Sequence, residues 1–157
     1  MICSLSVLKM RERIMNDPIH AFEQQLAVMK KSGLNVPAPA YTHFGGSLEE
    51  LAPEKHMKVS FPLRQEHENP TGGTLGGMLA VFFDLVYGPF SYLIAKGPAA
   101  SLDINTTFIK PLTTADERVF VEATLVSQSK SYLIMEGKAR KQDGTLVATS
   151  TSRMRKL

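Results

Sequence analysis

The segment Asn69-Pro-Thr-Gly-Gly-Thr-Leu-Gly-Gly-Met-Leu-Ala-Val-Phe-Phe-Asp84 sets a carboxylate inside an apolar run that directly follows a glycine-rich turn. The run 78–86 predicts a buried helix, and an aspartate inside such a helix is disfavoured unless it is paired, protonated or used in chemistry. Two interpretations of Asp84 are open. It is either a core carboxylate that anchors neighbouring backbone, or a catalytic base or nucleophile whose surroundings set its reactivity.

Four glycines, Gly72, Gly73, Gly76 and Gly77, precede this helix and leave its first backbone N–H groups uncovered by side chains. Such a helix start favours negative charge or a polarised carbonyl oxygen. Gly76 or Gly77 could donate an N–H to a developing oxyanion, and Asp84 projects from the same element about two turns later. This pairing suits acyl transfer. The alternative is that the glycines only permit a tight turn and close helix packing.

The remaining pattern predicts an antiparallel sheet. The segment 55–63 alternates apolar and polar residues, and Gln142-Asp143-Gly144 is typical of a hairpin turn. Gly88-Pro89 is expected to kink or interrupt the central helix near Tyr87, with the helix resuming through Ala95. The predicted strands are 41–51, 55–63, 101–109, 118–128, 131–141 and 146–154. One long helix against five or six antiparallel strands is an α+β layer arrangement.

An amphipathic helix is predicted near the N-terminus. Asp17-Pro18 supplies a cap and a proline at the first helical position, and Lys30-Lys31 with Gly33 ends the run. Apolar residues recur between them at helical spacing: Ile19, Phe22, Leu26 and Met29. Residues 1–16 are expected to be an N-terminal extension that can be disordered, and residues 17–157 a single domain. In residues 1–14 the basic residues follow the apolar stretch, the reverse of the order in an export signal.

Composition fits one compact core, because 157 residues with 43% hydrophobic content are enough for a single domain and short for two. The net charge of +3 and the pI near 9.0 suit an anionic ligand and equally a nonspecific nucleic-acid preference. A single cysteine, Cys3, excludes an intrachain disulfide and a Cys-His metal cluster and favours a reducing cytoplasm. The four histidines have no metal-ligand spacing, so they are interpreted as surface or core residues.

The glycine-rich segment resembles the signature of the PaaI-like branch of the hotdog-fold acyl-CoA thioesterases: an Asn, a glycine-bearing turn, His-Gly-Gly, and an acidic residue seven positions later. Asn69, Gly76-Gly77 and Asp84 keep every spacing. The stretch Ala100-Ser-Leu-Asp-Ile-Asn-Thr-Thr-Phe-Ile-Lys-Pro-Leu112 resembles the family's central strand and its closing proline. The resemblance covers roughly residues 40–155. It departs at one position, where Leu75 replaces the histidine.

The resemblance implies a hotdog fold, in which the sheet wraps around the central helix, and hydrolysis of a thioester to free acid and coenzyme A. It implies that the Gly76 N–H polarises the carbonyl and that Asp84 is the general base, or the nucleophile that forms an anhydride. Ser101 would orient the attacking water, and Asn69 would hold the carbonyl or the loop. Both also suit purely structural roles at a strand start and a turn. No metal is expected, and no cofactor, since coenzyme A is part of the substrate.

Basic side chains near the strand ends are expected to face the phosphates of coenzyme A, with Lys110 and Lys130 as the main candidates. The full set predicted to contact coenzyme A is Phe108, Lys110, Gln128, Lys130 and Arg153. The set predicted to line the acyl pocket is Leu75, Gly77, Leu79, Phe82 and Phe83. The N-terminal helix would cover a hydrophobic edge of the sheet or roof this pocket.

Open sheet edges favour assembly of several copies. In the resembling family the site lies at the dimer interface, so a homodimer is expected and a homotetramer is left open. The alternative function is a non-catalytic acyl-CoA-binding or sensing protein, because Leu75 replaces the usual histidine. The N-terminal segment is too short for a helix-turn-helix, and a dehydratase of this fold would need a histidine on the central helix. No nucleic-acid or membrane partner is expected.

Overall fold

The computed structural model describes residues 18–31 and 33–157. The chain divides into two compact units, residues 1–38 and residues 39–157. The predictions for Cys3, for the extension 1–16 and for the Asp17 cap lie outside the described residues.

The first unit contains helix α1, Pro18–Lys31. It begins and ends where the sequence predicts. Gly33 marks its end with a φ of +88°, and the Gly33 N–H donates to the Lys30 carbonyl at 3.1 Å. The left-handed backbone at this position explains the choice of glycine.

The second unit is built on one six-stranded antiparallel sheet, as predicted. The strand order is β1-β2-β4-β5-β6-β3, so β1 and β3 are the two edges. The strands are β1 Ser47–Ala52, β2 His56–Pro62, β3 Ala99–Phe108, β4 Arg118–Gln128, β5 Tyr132–Arg140 and β6 Leu146–Lys156. Alternate residues of β4 and β5 are buried, which gives the sheet an inner apolar face and an outer polar face.

The central helix α2 of this unit, Gly76–Ala95, packs on the inner face of the sheet. Its length and apolar composition would also suit a membrane span, with a mean hydropathy of 1.6 over 18 residues, but a core helix has the same composition. Its buried residues are Leu79, Phe82, Phe83, Val86, Tyr87, Phe90, Ser91 and Ile94. Helix α2 and the inner face together form the hydrophobic core.

Helix α2 continues through Gly88-Pro89, so an interruption near Tyr87 is wrong, while a kink there stays a prediction. Proline removes one backbone donor from the helix. The neighbouring Val86, Tyr87 and Phe90 are completely buried, and their packing outweighs that local loss.

The predicted first strand, 41–51, is wrong at its beginning. A short helix, Pro39–His43, occupies this part of the chain, and β1 starts only at Ser47. The Tyr41 ring packs edge-on against Phe61, with 6.1 Å between centroids. A Cβ on Gly46 would lie only 2.7 Å from the Tyr41 ring. Tyr41, which the sequence places in a strand, therefore belongs to a compact turn that packs on Phe61.

Helix α2 lies very close to the sheet at Gly137 in β5. A Cβ there would lie 2.5 Å from the Tyr87 hydroxyl and 2.7 Å from the Phe83 ring. The hydroxyls of Tyr87, Ser150 and Thr106 are buried without a well-formed hydrogen bond. Burial raises the pKa of Tyr87 to about 12, although the adjacent Ser150 hydroxyl opposes this rise.

Candidate active site

Asn69 organises the turn that precedes α2. Its Oδ1 accepts hydrogen bonds from the Thr71 N–H at 2.9 Å, the Thr71 hydroxyl at 2.7 Å and the Gly73 N–H at 3.2 Å. Its N–H donates to the Gly73 carbonyl at 2.7 Å, and its carbonyl accepts the Gly72 N–H at 2.9 Å. Gly72 has a φ of +79°, which favours glycine. The side-chain oxygen of Asn69 is thus engaged in holding the loop.

The helix start lies between two backbone anchors. The Thr74 N–H donates to the Leu112 carbonyl and the Leu75 N–H to the His67 carbonyl, each at 2.7 Å. No group among residues 33–157 accepts the N–H of Gly76 or Gly77. These two donors are the unpaired first-turn amides of a helix, where the helix dipole favours an anion.

Leu75 occupies the N-cap position of α2. Its side chain makes no capping hydrogen bond and is 51% exposed. Where the family that the sequence resembles has a histidine, this chain therefore has an exposed apolar side chain at the start of α2.

Phe108, at the end of β3, covers Gly76. A Cβ on Gly76 would lie 3.0 to 3.3 Å from three atoms of the Phe108 ring, so a side chain at residue 76 would have to displace the ring. The Phe108 ring is itself 55% exposed. One residue predicted to contact coenzyme A thus lies beside the predicted oxyanion donor.

Asp84 is exposed in the single chain, so its predicted burial is wrong. It lies on a stripe of α2 with Gly77 and Val81, which are also exposed and which follow helical spacing beside the edge strand β3. Ser101 of β3 donates a hydrogen bond from its hydroxyl to Asp84 Oδ1 at 2.7 Å. Oδ2 accepts no hydrogen bond from the described residues. Asp84 and Ser101, two of the predicted catalytic residues, are thus brought together.

Gly76 and Asp84 are not brought together within one chain. They are eight residues apart on a continuous helix, a separation of about 12 Å at ~1.5 Å per residue. An oxyanion donor and an attacking group must both lie within about 3 Å of the reacting centre. One chain alone cannot place both on the same carbonyl.

The residues predicted to line the acyl pocket divide into two groups. Leu75 and Gly77 are exposed at the helix start. Leu79, Phe82 and Phe83 are buried, with 0% exposure for both phenylalanines. The Phe82 ring stacks on Phe61 at 4.8 Å, and the Phe83 ring stacks on Tyr87 at 6.1 Å. These three side chains are part of the core.

The residues predicted to contact coenzyme A lie at both ends of the sheet. Phe108 and Lys110 are near the helix start, whereas Gln128 shares a cross-sheet row with Ser101 through Leu133 and Met154. Lys130 lies in the turn after β4. Two of the residues are already engaged, since Gln128 accepts from Lys156 at 3.1 Å and Arg153 pairs with Asp103 on the outer face.

His67 has a role that the sequence pattern does not reveal. It is 3% exposed, and its ring packs against Phe44 and Phe82, each with a centroid distance of 5.7 Å. Its Nδ1 accepts the Arg64 N–H at 3.3 Å, and its carbonyl accepts the Leu75 N–H. Burial lowers the pKa of His67, opposed by the charge of Glu66 and assisted by that of Arg64. A neutral, buried His67 therefore supports the loop beneath the helix start.

The thioesterase superfamily model matches residues 72–148, which include Gly76, Asp84, Ser101 and Phe108. Over these residues the chain is similar to the thioesterase superfamily. Its sheet and central helix are those of the hotdog fold, as predicted. No protein of curated function matches this chain.

Several solved structures resemble this chain in fold. A variant of the phenylacetic acid degradation protein PaaI from Thermus thermophilus is 26% identical, with a TM-score of 0.68 over 76% of this chain and 99% of that chain. A second Thermus thermophilus protein is 26% identical, with a TM-score of 0.69 over 78% of this chain and 100% of that chain. A phenylacetic acid degradation-related protein from Ralstonia eutropha, 24% identical, shares the fold with a TM-score of 0.70 over 83% and 98%.

The described residues contain no cluster of three or more His, Cys, Asp or Glu side chains placed to hold a metal ion. The candidate site consists of a helix start with two free N–H groups, a carboxylate held by a serine, and an aromatic ring over the first glycine.

Proposed function

We propose that this protein hydrolyses acyl-CoA thioesters to a free acid and coenzyme A. The observation that carries the proposal is that one helix, α2, carries both the unpartnered Gly76 and Gly77 amides and an exposed, serine-bound Asp84. Free backbone donors stabilise a developing oxyanion, and an exposed carboxylate can attack or deprotonate water. The relatives in phenylacetic acid degradation make arylacetyl-CoA thioesters the first substrates to test.

We infer that the working site is shared by two copies of the chain. The separation of about 12 Å between Gly76 and Asp84 requires the donor and the carboxylate at one carbonyl to come from different subunits. The edge strand β3 and the exposed stripe of α2 present Leu102, 52% exposed, and Val81, 36% exposed, beside Asp84. Pairing of this edge with a second copy would cover these apolar groups. A homodimer is the minimal assembly, and a homotetramer is compatible with it.

In the proposed reaction, the Gly76 N–H of one subunit polarises the thioester carbonyl. Asp84 of the other subunit either attacks the carbonyl carbon or removes a proton from the attacking water. Ser101 donates to Oδ1 and so directs Oδ2 towards the substrate. If Asp84 attacks, the carbon–sulfur bond breaks as an acyl–Asp84 anhydride forms, and water then hydrolyses this anhydride to the free acid and the restored carboxylate. If water attacks, its oxygen bonds to the carbonyl carbon and the carbon–sulfur bond of the tetrahedral intermediate breaks. In both cases coenzyme A leaves as a thiolate that needs little acid assistance. Asn69 keeps the loop, and hence the amide donor, in place.

Lys110 and Lys130 are proposed to attract the phosphates of coenzyme A as mobile charges, beside Phe108 and Gln128. Lys110 lies close enough to the β5–β6 hairpin for its charge to help lower the pKa of Asp143, which is lowered mainly by the Thr145 N–H. The proposed location of the protein is the cytoplasm. The proposed hydrolysis uses no cofactor, since coenzyme A is part of the substrate.

The proposal is tested by free-thiol release from a panel of aliphatic and aromatic acyl-CoAs. We expect Asp84→Asn to lower kcat about 100-fold or more, because the carboxylate supplies the attacking group or the base. The matched control is Glu136→Gln, which changes an exposed carboxylate on the outer face of β5. Unchanged turnover in a folded Asp84→Asn protein would refute the proposed role of Asp84.

The second candidate function is binding of acyl-CoA without turnover. Leu75 is the one residue that favours it. At the N-cap an apolar side chain supplies none of the hydrogen bonds available to a histidine. We expect Leu75→His to raise kcat several-fold with little change in KM, and Leu75→Ala to leave kcat low. Tight binding of acyl-CoA by the wild type, with no turnover in either the wild type or Leu75→His, would establish the binder.

A further inference from the structure

The outer face of the sheet, opposite α2, carries a cleft with a volume of about 310 Å³. We define the outer-face cleft by Lys58, Phe120, Glu122, Lys138 and Arg140, together with the β5–β6 hairpin. The strand register sets these side chains in two adjoining rows. Lys58, Glu122 and Lys138 form one row across β2, β4 and β5, and Phe120 with Arg140 forms the next. The cleft is therefore fixed by the sheet itself.

The charge of the outer-face cleft is positive. Lys141 of the hairpin adds a fourth basic side chain to those of Lys58, Lys138 and Arg140, against the single carboxylate Glu122. Lys58 is paired with Glu50 at 2.8 Å and Lys141 with Asp116 at 2.9 Å. Lys138 has no carboxylate within 4.0 Å among the described residues, although Glu122 lies directly opposite on β4. An unneutralised cation in a concave site favours an anionic ligand.

Arg140 is held in position at one end of the cleft. Its Nη1 donates to the Gly144 carbonyl at 2.9 Å. The hairpin that carries this carbonyl is closed by the Lys141 N–H to Thr145 at 2.9 Å and the Gly144 N–H to Lys141 at 3.0 Å. A guanidinium fixed in this way loses little freedom on binding, and its remaining donors suit a phosphate.

Phe120 and Glu122 suit a ligand that has a flat ring with polar substituents. The half-buried Phe120 offers a flat aromatic surface, and Lys58 Nζ lies 5.9 Å from its centroid. Glu122 can accept hydrogen bonds from hydroxyl or amino groups but would repel a simple anion. Phosphate charge, a flat ring and several donors occur together in nucleotides.

We propose that the outer-face cleft binds a nucleotide, with its phosphates on Lys138 and Arg140 and its base on Phe120. This site is separate from the helix start and Asp84, which lie on the inner side and at the β3 edge. The nucleotide is either free or the nucleotide end of coenzyme A, and both present the same chemistry to the cleft.

The test is isothermal titration of the full-length protein with ADP, pyrophosphate and adenosine. We expect ADP to bind at least about tenfold more tightly than pyrophosphate, and adenosine more weakly still, because stacking and charge are both required. Phe120→Leu should bring the affinity for ADP down to that for pyrophosphate. Equal affinities for ADP and pyrophosphate in the wild type, or no binding of ADP at millimolar concentration, would overturn the proposal.

A matched pair of variants separates the cleft from general surface charge. Arg140→Gln is expected to weaken ADP binding about tenfold or more. Arg155→Gln removes an exposed outer-face arginine from β6 at the opposite Tyr132 end of the sheet and should leave binding within about twofold. Equal weakening by the two changes would mean a diffuse charge effect and would overturn the site.

Competition identifies the source of the nucleotide. Displacement of ADP by coenzyme A, with the same sensitivity to Arg140→Gln, would assign the cleft to the nucleotide end of coenzyme A. Binding of ADP unaffected by coenzyme A would assign it to a free nucleotide. Both results support a nucleotide site, and neither depends on thioester hydrolysis by Asp84.

Discussion

At the scale of single residues, the surroundings of Asp84 are set by its place on the exposed stripe of α2 and by the Ser101 hydroxyl. Helical periodicity alone does not say which stripe of an apolar helix a sheet covers. Ser101, seventeen positions later in the chain, becomes its partner only when β3 folds beside α2. The role of His67 could not be predicted from the sequence either, because it depends on the Phe44 and Phe82 rings that bury the side chain.

His67 should make stability depend on pH. Its pKa is lowered by burial in the folded state, so the unfolded chain binds a proton first as the pH falls below about 6.5. The free energy of unfolding should therefore decrease from pH 8 to pH 5.5. Denaturant titrations of the wild type and His67→Phe should show a smaller decrease in the variant. Identical pH dependence in the two proteins would show that His67 is protonated as readily in the folded state.

At the scale of elements, alternation and turn residues predicted β2 to β6 within a few positions, and the alternation is clearest in β4 and β5, where buried and exposed residues follow one another. Local rules failed where packing overrides them. Pro89 does not break α2, since the residues around it are completely buried. Tyr41 lies in a short helix rather than a strand, because Gly46 allows its ring close to the chain.

The contact between α2 and β5 at Gly137 makes a prediction at this scale. Gly137→Ala would push a methyl group into the Phe83 ring and the Tyr87 hydroxyl, both enclosed in the core. We expect a loss of about 1–3 kcal/mol in the free energy of unfolding, as for other overpacked cores. Gly97→Ala, where a Cβ would meet nothing within 4 Å, is the control and should change stability by less than about 0.5 kcal/mol. Equal effects of the two changes would mean that the core relaxes around the methyl group.

At the scale of the whole molecule, a continuous helix makes the proposed site incomplete in one chain. The rise of an α-helix fixes Gly76 and Asp84 too far apart for one thioester, and no side-chain rotation closes that gap. The spacing of Gly76 and Asp84 can be read from the sequence. The surface that would pair with a second copy cannot, because it forms only when β3 folds beside α2. The exposed apolar groups of β3 and α2 give that surface a physical reason to pair.

Mixing two inactive variants tests this shared site directly. Gly76→Pro removes the amide donor at the first helical position, where proline is tolerated, and the Leu75 ψ of 130° suits a following proline. The proline ring also displaces Phe108 of the same chain, so both effects fall on the donor side of one site. Asp84→Asn removes the carboxylate. If the two groups act across the interface, each mixed dimer holds one intact site, and random exchange of subunits should restore about a quarter of wild-type activity. If both groups act within one chain, every site in the mixed dimer has one defect and the mixture stays inactive. Thiol release is measured before and after subunit exchange, and dimer formation is verified by ultracentrifugation. An increase in activity on mixing supports the shared site, because it arises only when an intact Gly76 and an intact Asp84 meet across the interface.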